Sequence, residues 1–80
     1  MGGKKKAEIT PILLERIRIL SEFSEQELAE MAGIDRTAWY HKENARQTMA
    51  GDDFARLLLT LAKRMPRKKY EKLLSAIFID

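Results

Sequence analysis

The segment 24–44, SEQELAEMAGIDRTAWYHKEN, contains two helix start signals and one stop signal, and it constrains the fold more than any other part of the chain. Ser24 and Glu27 have the spacing of a capping box, in which each side chain accepts a hydrogen bond from the other residue's backbone N–H. Gly33 predicts the end of this helix, because glycine readily adopts the left-handed conformation of a C-cap. Asp35 is a favourable N-cap for a second helix. The sequence therefore predicts two short helices joined by a tight turn.

A further helix is predicted before this segment. Thr10 is a favourable N-cap, and Pro11 then stands at the first helical position, where its missing N–H has no cost. The helical period places Leu13, Ile17 and Leu20 on one apolar stripe, which we expect to face the core.

Two more helices are predicted after the segment, and they complete an all-α domain. The first, DDFARLLLTLAKRM, is expected to be capped by Asp52 or Asp53 and to end before Pro66, because proline interrupts a helix. The second, RKKYEKLLSAIF, has an apolar stripe of its own. The chain lacks strand-like alternation, so we expect five short helices with non-parallel packing.

The length of 80 residues is that of one domain. We expect a basic N-terminal arm at 1–8, a core at 9–65 and a C-terminal helix at 66–80. The longest apolar run, 57–62, is far shorter than the ~20 residues that cross a bilayer. No apolar stretch of signal-peptide type follows the arm. These features predict a cytoplasmic protein that does not enter a membrane.

Catalysis and metal binding are not expected. The chain has no cysteine and a single histidine, His41, which excludes thiolate and multi-histidine metal sites. No nucleophile, base and orienting group are recognisable as a set. We therefore expect neither an enzyme nor a cofactor.

The second helix of the central segment has a polar face that a core helix would not need. Trp39 is its large apolar residue and is expected to point inward. Steps of 100° per residue then place several polar residues outward or on the flanks, namely Arg36, Thr37, Tyr40, His41 and Asn44. Arginine can donate two hydrogen bonds to guanine, and threonine can bond a base or contact the thymine methyl group. This pattern is typical of a helix-turn-helix, whose second helix enters the major groove of double-stranded DNA.

Contacts with the DNA backbone are predicted around this helix. The helix N-terminus at Ser24 is suited to a phosphate, because its N–H groups and dipole favour an anion. Arg46 follows the second helix, and the arm contains Lys4, Lys5 and Lys6, which can add phosphate contacts. The net charge of +3 permits a polyanionic partner without requiring one.

The segment SEQELAEMAGIDRTAWYHKENAR resembles the lambda-repressor/Cro-like (XRE-type) helix-turn-helix DNA-binding domain, and the resemblance extends from Ile9 to about Met65. The residues at the family's spacing are Leu28, Ala29, Gly33, Ile34, Glu43 and Asn44. The resemblance implies base contacts from Arg36, Thr37 and His41, with Tyr40 beside them. It also implies phosphate contacts from Ser24 and Asn44, and an ion pair between Arg18 and Glu43 that holds the scaffold.

The sequence departs from the family pattern at three positions. Glu25 stands where the family has a glutamine that contacts the DNA backbone, and a carboxylate there repels phosphate. We expect either that Gln26 makes this contact instead or that the helix sits slightly differently on the DNA. Lys42 occupies a position that is apolar in the family, and its stem is expected to pass along Trp39. Ala45 replaces a glycine.

The C-terminal helix is predicted to form a dimer interface. Its apolar residues are more than a small domain is expected to cover, and an exposed apolar stripe marks an interface: they are Tyr70, Leu73, Leu74, Ile77 and Phe78. A two-fold homodimer would place two recognition helices about one DNA turn apart on a palindromic operator. The sequence thus favours a dimeric repressor of phage or mobile-element type. Two alternatives stay open, an antitoxin-type regulator that also binds a toxin and a protein-interaction module that does not bind DNA.

Overall fold

Five α-helices make up the chain in a computed structural model that describes residues 10–44 and 46–78, and these residues include no β-strand. The helices are α1 Pro11–Ser21, α2 Glu25–Ala32, α3 Arg36–Glu43, α4 Gly51–Arg64 and α5 Arg67–Ile77. The predicted arm at 1–8, with Lys4, Lys5 and Lys6, lies outside the described residues. Within the described ranges, no helix is long and apolar enough to cross a membrane.

The predicted caps of the first three helices are confirmed. Thr10 Oγ1 accepts a hydrogen bond from the backbone N–H of Leu13 at α1. At α2 the capping box is complete, with Glu27 N–H donating to Ser24 Oγ over 3.1 Å and Ser24 N–H donating to Glu27 Oε1 over 2.9 Å. At α3, Asp35 Oδ1 accepts a hydrogen bond from the backbone N–H of Ala38 over 2.7 Å. Local chemistry therefore fixes where these helices begin.

The predicted cap of α4 is wrong. The N-cap is Ala50, which makes no side-chain hydrogen bond, and both Asp52 and Asp53 lie in the first turn of the helix. Carboxylates are favourable there as well, because they face the positive end of the helix dipole. The break at Pro66 is confirmed, since α4 ends at Arg64 and α5 begins directly after the proline.

The core lies where α2 packs against α3 and α4 while α1 packs against α3 and α5. Seven large side chains are fully buried: Leu14, Ile17, Leu28, Trp39, Leu57, Leu61 and Leu73. On α1 the buried stripe is Leu14, Ile17 and Ser21, and Leu20 is 42% exposed, so the predicted stripe is wrong at that residue. The two stripes share Ile17 and fit the helical period equally well, so the packing of α1 against α3 and α5 decides which of them is buried.

The domain covers most of the apolar stripe of α5, which the sequence indicated that so small a domain would not cover completely. Leu73 and Ile77 are buried in the core of the single chain, and Leu74 is half-buried against it. Tyr70 donates its hydroxyl hydrogen to the backbone carbonyl of Leu58 on α4 over 3.1 Å. Only Phe78, which is 52% exposed, stays available from the predicted interface. The five helices cover more of this stripe than the sequence indicated because α5 contacts both α1 and α4.

Candidate nucleic-acid interface

A turn of three residues joins α2 to α3 and sets how the two helices meet. Gly33 has φ +78°, the left-handed conformation predicted for it. The N–H of Gly33 donates to Glu30 O over 3.1 Å, and the N–H of Ile34 donates to Ala29 O over 2.9 Å. The Ile34 side chain packs against the core. These bonds satisfy the carbonyls at the end of α2 and allow α3 to begin at once.

An arginine on α4 forms a hydrogen bond with the last residue of α2, next to this turn. Arg56 Nη1 donates to the carbonyl of Ala32 over 3.0 Å and lies 3.2 Å from Asp53 Oδ1. A Cβ atom at Gly33 would lie 2.6 Å from the same nitrogen. This contact of Arg56 was not predictable from the sequence, because no local signal marks a contact between residues 24 positions apart.

Two side chains anchor the inner side of α3. Trp39 is fully buried, as predicted, and its indole N–H donates to Glu43 Oε1 over 2.9 Å. Arg18 on α1 donates to the same carboxylate through Nε over 3.0 Å and through Nη2 over 2.6 Å. The pair expected between Arg18 and Glu43 is therefore present, and it ties α1 to the end of α3.

The ionisation of this pair follows from its surroundings. Burial by itself raises the pKa of Glu43, but the hydrogen bonds from Arg18 and Trp39 and the charge of Arg18 outweigh it and leave that pKa below its ordinary value. The hydrogen bond to Glu43 raises the pKa of Arg18. Both groups are therefore charged at neutral pH, and the pair holds α3 in one orientation.

The outer side of α3 is polar and open. Arg36, Thr37 and Tyr40 are exposed, and together with Gln26 of α2 they line a shallow cleft between the two helices. Asn44, the C-cap of α3, is also exposed, but its side-chain amide donates to the carbonyl of Tyr40 over 2.8 Å. Three of the predicted base-contacting residues thus share one surface with one predicted phosphate contact.

His41 lies apart from this surface. It is half-buried on the flank of α3, with its ring edge-on to Tyr40 at a centroid distance of 5.8 Å. Its Nδ1 atom is buried and has no hydrogen-bond partner among the described residues. This position lies within the outward or flanking placement expected for His41, and it is partly covered, as are Ala38 and Lys42, because the open face is centred nearer Tyr40.

The N-terminus of α2 is less available to a phosphate than the sequence indicated. Four N–H groups at a helix N-terminus lack partners within the helix. The capping box occupies two of them, those of Ser24 and Glu27, and the Ser24 hydroxyl accepts one of these bonds. The backbone amides of Glu25 and Gln26 are left for an anion. The Gln26 side chain donates to Glu30 over 3.0 Å.

An ion pair also links α2 to α3. Glu25 Oε1 lies 3.8 Å from Arg36 Nε, and the two side chains are 31% and 66% exposed. The departure from the family pattern at position 25 therefore has a direct partner in the first turn of α3. Beyond α3, Arg46 is exposed, and Lys42 donates to Gln47 Oε1 over 3.1 Å, which confirms that its head group points away from the core.

No family model, curated protein or solved structure gives a significant match to this chain. The function is therefore inferred from the geometry and chemistry of α2, α3 and the turn between them.

Proposed function

We propose that this protein is a sequence-specific double-stranded DNA-binding regulator, and that α2, the turn and α3 form its helix-turn-helix. The supporting observation is that Arg36, Thr37 and Tyr40 share the open face of a helix whose opposite side is fixed by Trp39 and Glu43. A helix that only filled the core would have no need of these three side chains on one surface.

The dimensions and the side-chain chemistry both suit the major groove. An α-helix with its side chains is about 10–12 Å in diameter, and the major groove of B-DNA is about 12 Å wide. Arg36 and Thr37 occupy the first turn of α3, the part of a recognition helix that meets base edges. Arg36 supplies paired donors for guanine, and Thr37 and Tyr40 supply hydroxyl groups that both donate and accept.

Phosphate contacts in this proposal come from fewer groups than the sequence indicated. The amides of Glu25 and Gln26 remain for one phosphate, and the exposed Arg46 follows α3. Asn44 serves α3 as its C-cap. The phosphate contacts predicted for Lys4, Lys5 and Lys6 lie outside the described residues and stay predictions.

The proposal includes a two-fold dimer, at a surface that differs from the predicted one. The outer faces of α1 and α5 lie side by side, with Arg16 Nη1 donating to Ala76 O over 3.4 Å. Four large apolar side chains are exposed on these two helices or directly after them: Ile12, Ile19, Leu20 and Phe78. A second copy packed against this surface would bury them.

One observation favours a second candidate function, a protein-interaction module on the same fold. The Glu25 carboxylate lies 3.8 Å from the Nε of Arg36, one of the residues that line the cleft in which DNA would have to sit. An acidic group there disfavours a phosphate and suits a basic peptide. DNA binding stays the first proposal because the cleft itself is lined by Arg36 and neutral hydrogen-bonding residues.

Selection of bound duplexes from a random DNA pool at about 150 mM salt tests the proposal, since weak non-specific binding is suppressed there. We expect the native chain to enrich an inverted repeat, and Arg36→Ala to relax one base position in each half-site at a cost of about 1–3 kcal/mol. Arg67→Ala is the matched control, because Arg67 is a highly exposed arginine on α5. A native chain that enriches no sequence would contradict the proposal and favour the interaction module.

A further inference from the structure

We propose that Glu25 is a specificity-determining residue, whose carboxylate competes with DNA phosphates for Arg36 and so lowers non-specific binding more than specific binding. This inference rests on the proposed function, since it concerns how the same surface selects its DNA. It assigns a role to an acidic side chain that pairs with a predicted base-contacting residue.

The first step is the geometry of the pair. Glu25 stands at the first position of α2 and Arg36 at the first position of α3, so the ion pair of 3.8 Å joins the first turns of the two helices. Its closest approach is at the Nε of Arg36. A guanidinium group has five N–H donors. The terminal Nη groups, which suit guanine O6 and N7, therefore remain for a base while Nε stays near Glu25.

The second step is the electrostatic situation of Arg36. A cation at the first position of a helix faces the positive end of the helix dipole, which disfavours it. The carboxylates of Glu25 and of the N-cap Asp35 offset this. Without Glu25, the guanidinium would be free to turn towards the nearest phosphate, a contact that every DNA sequence offers.

The third step is the competition that follows. On non-specific DNA, a contact between Arg36 and a phosphate requires the loss of the ion pair and brings the Glu25 carboxylate close to the DNA backbone. On the cognate site, a guanine accepts two hydrogen bonds from Arg36 and the ion pair can persist. Glu25 thus disfavours the contact between Arg36 and a phosphate and leaves the contact between Arg36 and guanine unaffected. The ratio of the affinity for the cognate site to the affinity for non-specific DNA therefore increases.

The test compares the full-length native chain with Glu25→Gln, which removes the charge and keeps the shape. Binding is measured to the selected duplex and to a scrambled duplex of equal length, over a series of salt concentrations. We expect Glu25→Gln to tighten binding to scrambled DNA about 3–10-fold and binding to the selected duplex by less. The slope of log K against log salt on scrambled DNA should steepen by about one unit, since one more phosphate is contacted.

Two controls separate this effect from a general change of charge. Glu71→Gln makes the same change of charge on α5, where Glu71 pairs with Arg67 of the same helix. It should alter both affinities equally. The double variant Glu25→Gln/Arg36→Ala should lose the gain on scrambled DNA, because Arg36 is the group that Glu25 restrains.

The outcomes separate the inference from the proposed function. If the native chain selects an operator but Glu25→Gln leaves the affinity ratio unchanged, or changes it only as Glu71→Gln does, the role of Glu25 is wrong and the DNA-binding proposal stands. If the native chain selects no duplex, both proposals fall.

Discussion

Arg18 and Glu43 form a two-pronged ion pair between α1 and the end of α3, and the arginine is 33% exposed while the glutamate is 9% exposed. The same carboxylate accepts the indole N–H of Trp39. The Glu43 carboxylate thus fixes the rotation of α3 about its own axis. It therefore determines which residues of α3 are buried and which face outward.

We expect Glu43→Gln to lower the free energy of unfolding by about 1–3 kcal/mol, since it leaves the Arg18 guanidinium and the Trp39 N–H with a weaker acceptor. The value lies below that of a fully buried pair because Arg18 is partly solvated. Urea unfolding followed by circular dichroism measures it. Glu71→Gln, on the exposed face of α5, should change stability by less than about 0.5 kcal/mol. Equal effects of the two variants would contradict the role assigned to Glu43.

The lowered pKa of Glu43 predicts a pH dependence of stability. A carboxyl group with a lower pKa in the folded than in the unfolded state binds more protons when unfolded, so stability rises with pH. Its contribution is complete above the ordinary value of 4.5 and is lost as the pH falls through the native pKa below that value. Urea titrations at several pH values should show the gap between the native chain and Glu43→Gln narrowing at acidic pH. A gap that stays constant from neutral to strongly acidic pH would refute this.

Gly33→Ala should destabilise the protein by about 1–2 kcal/mol, because a side chain is unfavourable at φ +78°. The added Cβ would also displace Arg56 from the Ala32 carbonyl, although the arginine end can move aside. Gly51→Ala is the matched control, since Gly51 has open space around its Cα and begins α4. Thermal melting should show a loss for the first variant and no loss for the second. The same loss at both positions would argue against the turn as its cause.

Glu22→Gly should stabilise the protein by about 1 kcal/mol. Glu22 is the C-cap of α1 and has φ +66°, the only positive φ of a non-glycine residue in the described ranges. Glycine removes the steric cost of that conformation. Glu22→Ala keeps the Cβ atom and loses the exposed ion pair with Lys69, so it should show no gain. A gain of equal size in the alanine variant would mean that the carboxylate, not the backbone, is unfavourable.

Leu73→Ala should lower the stability of the single chain, whereas Phe78→Ala should weaken self-association. Leu73 is buried in the core of the single chain, so its truncation should lower stability by about 2–5 kcal/mol at every protein concentration. Phe78 is exposed, so Phe78→Ala should leave the stability of a dilute sample nearly unchanged and weaken self-association, as measured by sedimentation equilibrium. A native chain that is monomeric at high concentration would contradict the proposed dimer.

The helix boundaries near Ser24, Gly33 and Asp35 were predictable because their signals are local. A cap side chain bonds an amide two or three residues away, so a short segment contains both partners. The same holds for Pro11 and Pro66. Where the signal was ambiguous, as for the aspartates that precede Phe54, the cap was misplaced by a few residues.

Contacts between distant residues were not predictable in the same way. Nothing near Arg56 marks its bond to Ala32, and nothing in the α5 stripe shows that α1 and α4 cover Leu73. The polar face of α3 was predicted from helical period, but the partly covered position of His41 depends on its neighbours in space. The ion pair between Glu25 and Arg36 likewise depends on the angle between α2 and α3, which cannot be read from the sequence.

The packing of α5 on α1 has a consequence for the kinetics of folding. The hydrogen bond from Arg16 to Ala76 joins residues 60 positions apart, whereas α2 contacts α3 and α4 over shorter separations. Closing a long loop has an entropic cost that short-range contacts avoid. We therefore expect α2, α3 and α4 to assemble first and α5 to dock last, so that mutations in α5 change the unfolding rate and leave the folding rate nearly constant. The polar surface of α3 would then be formed before α5 packs against α1.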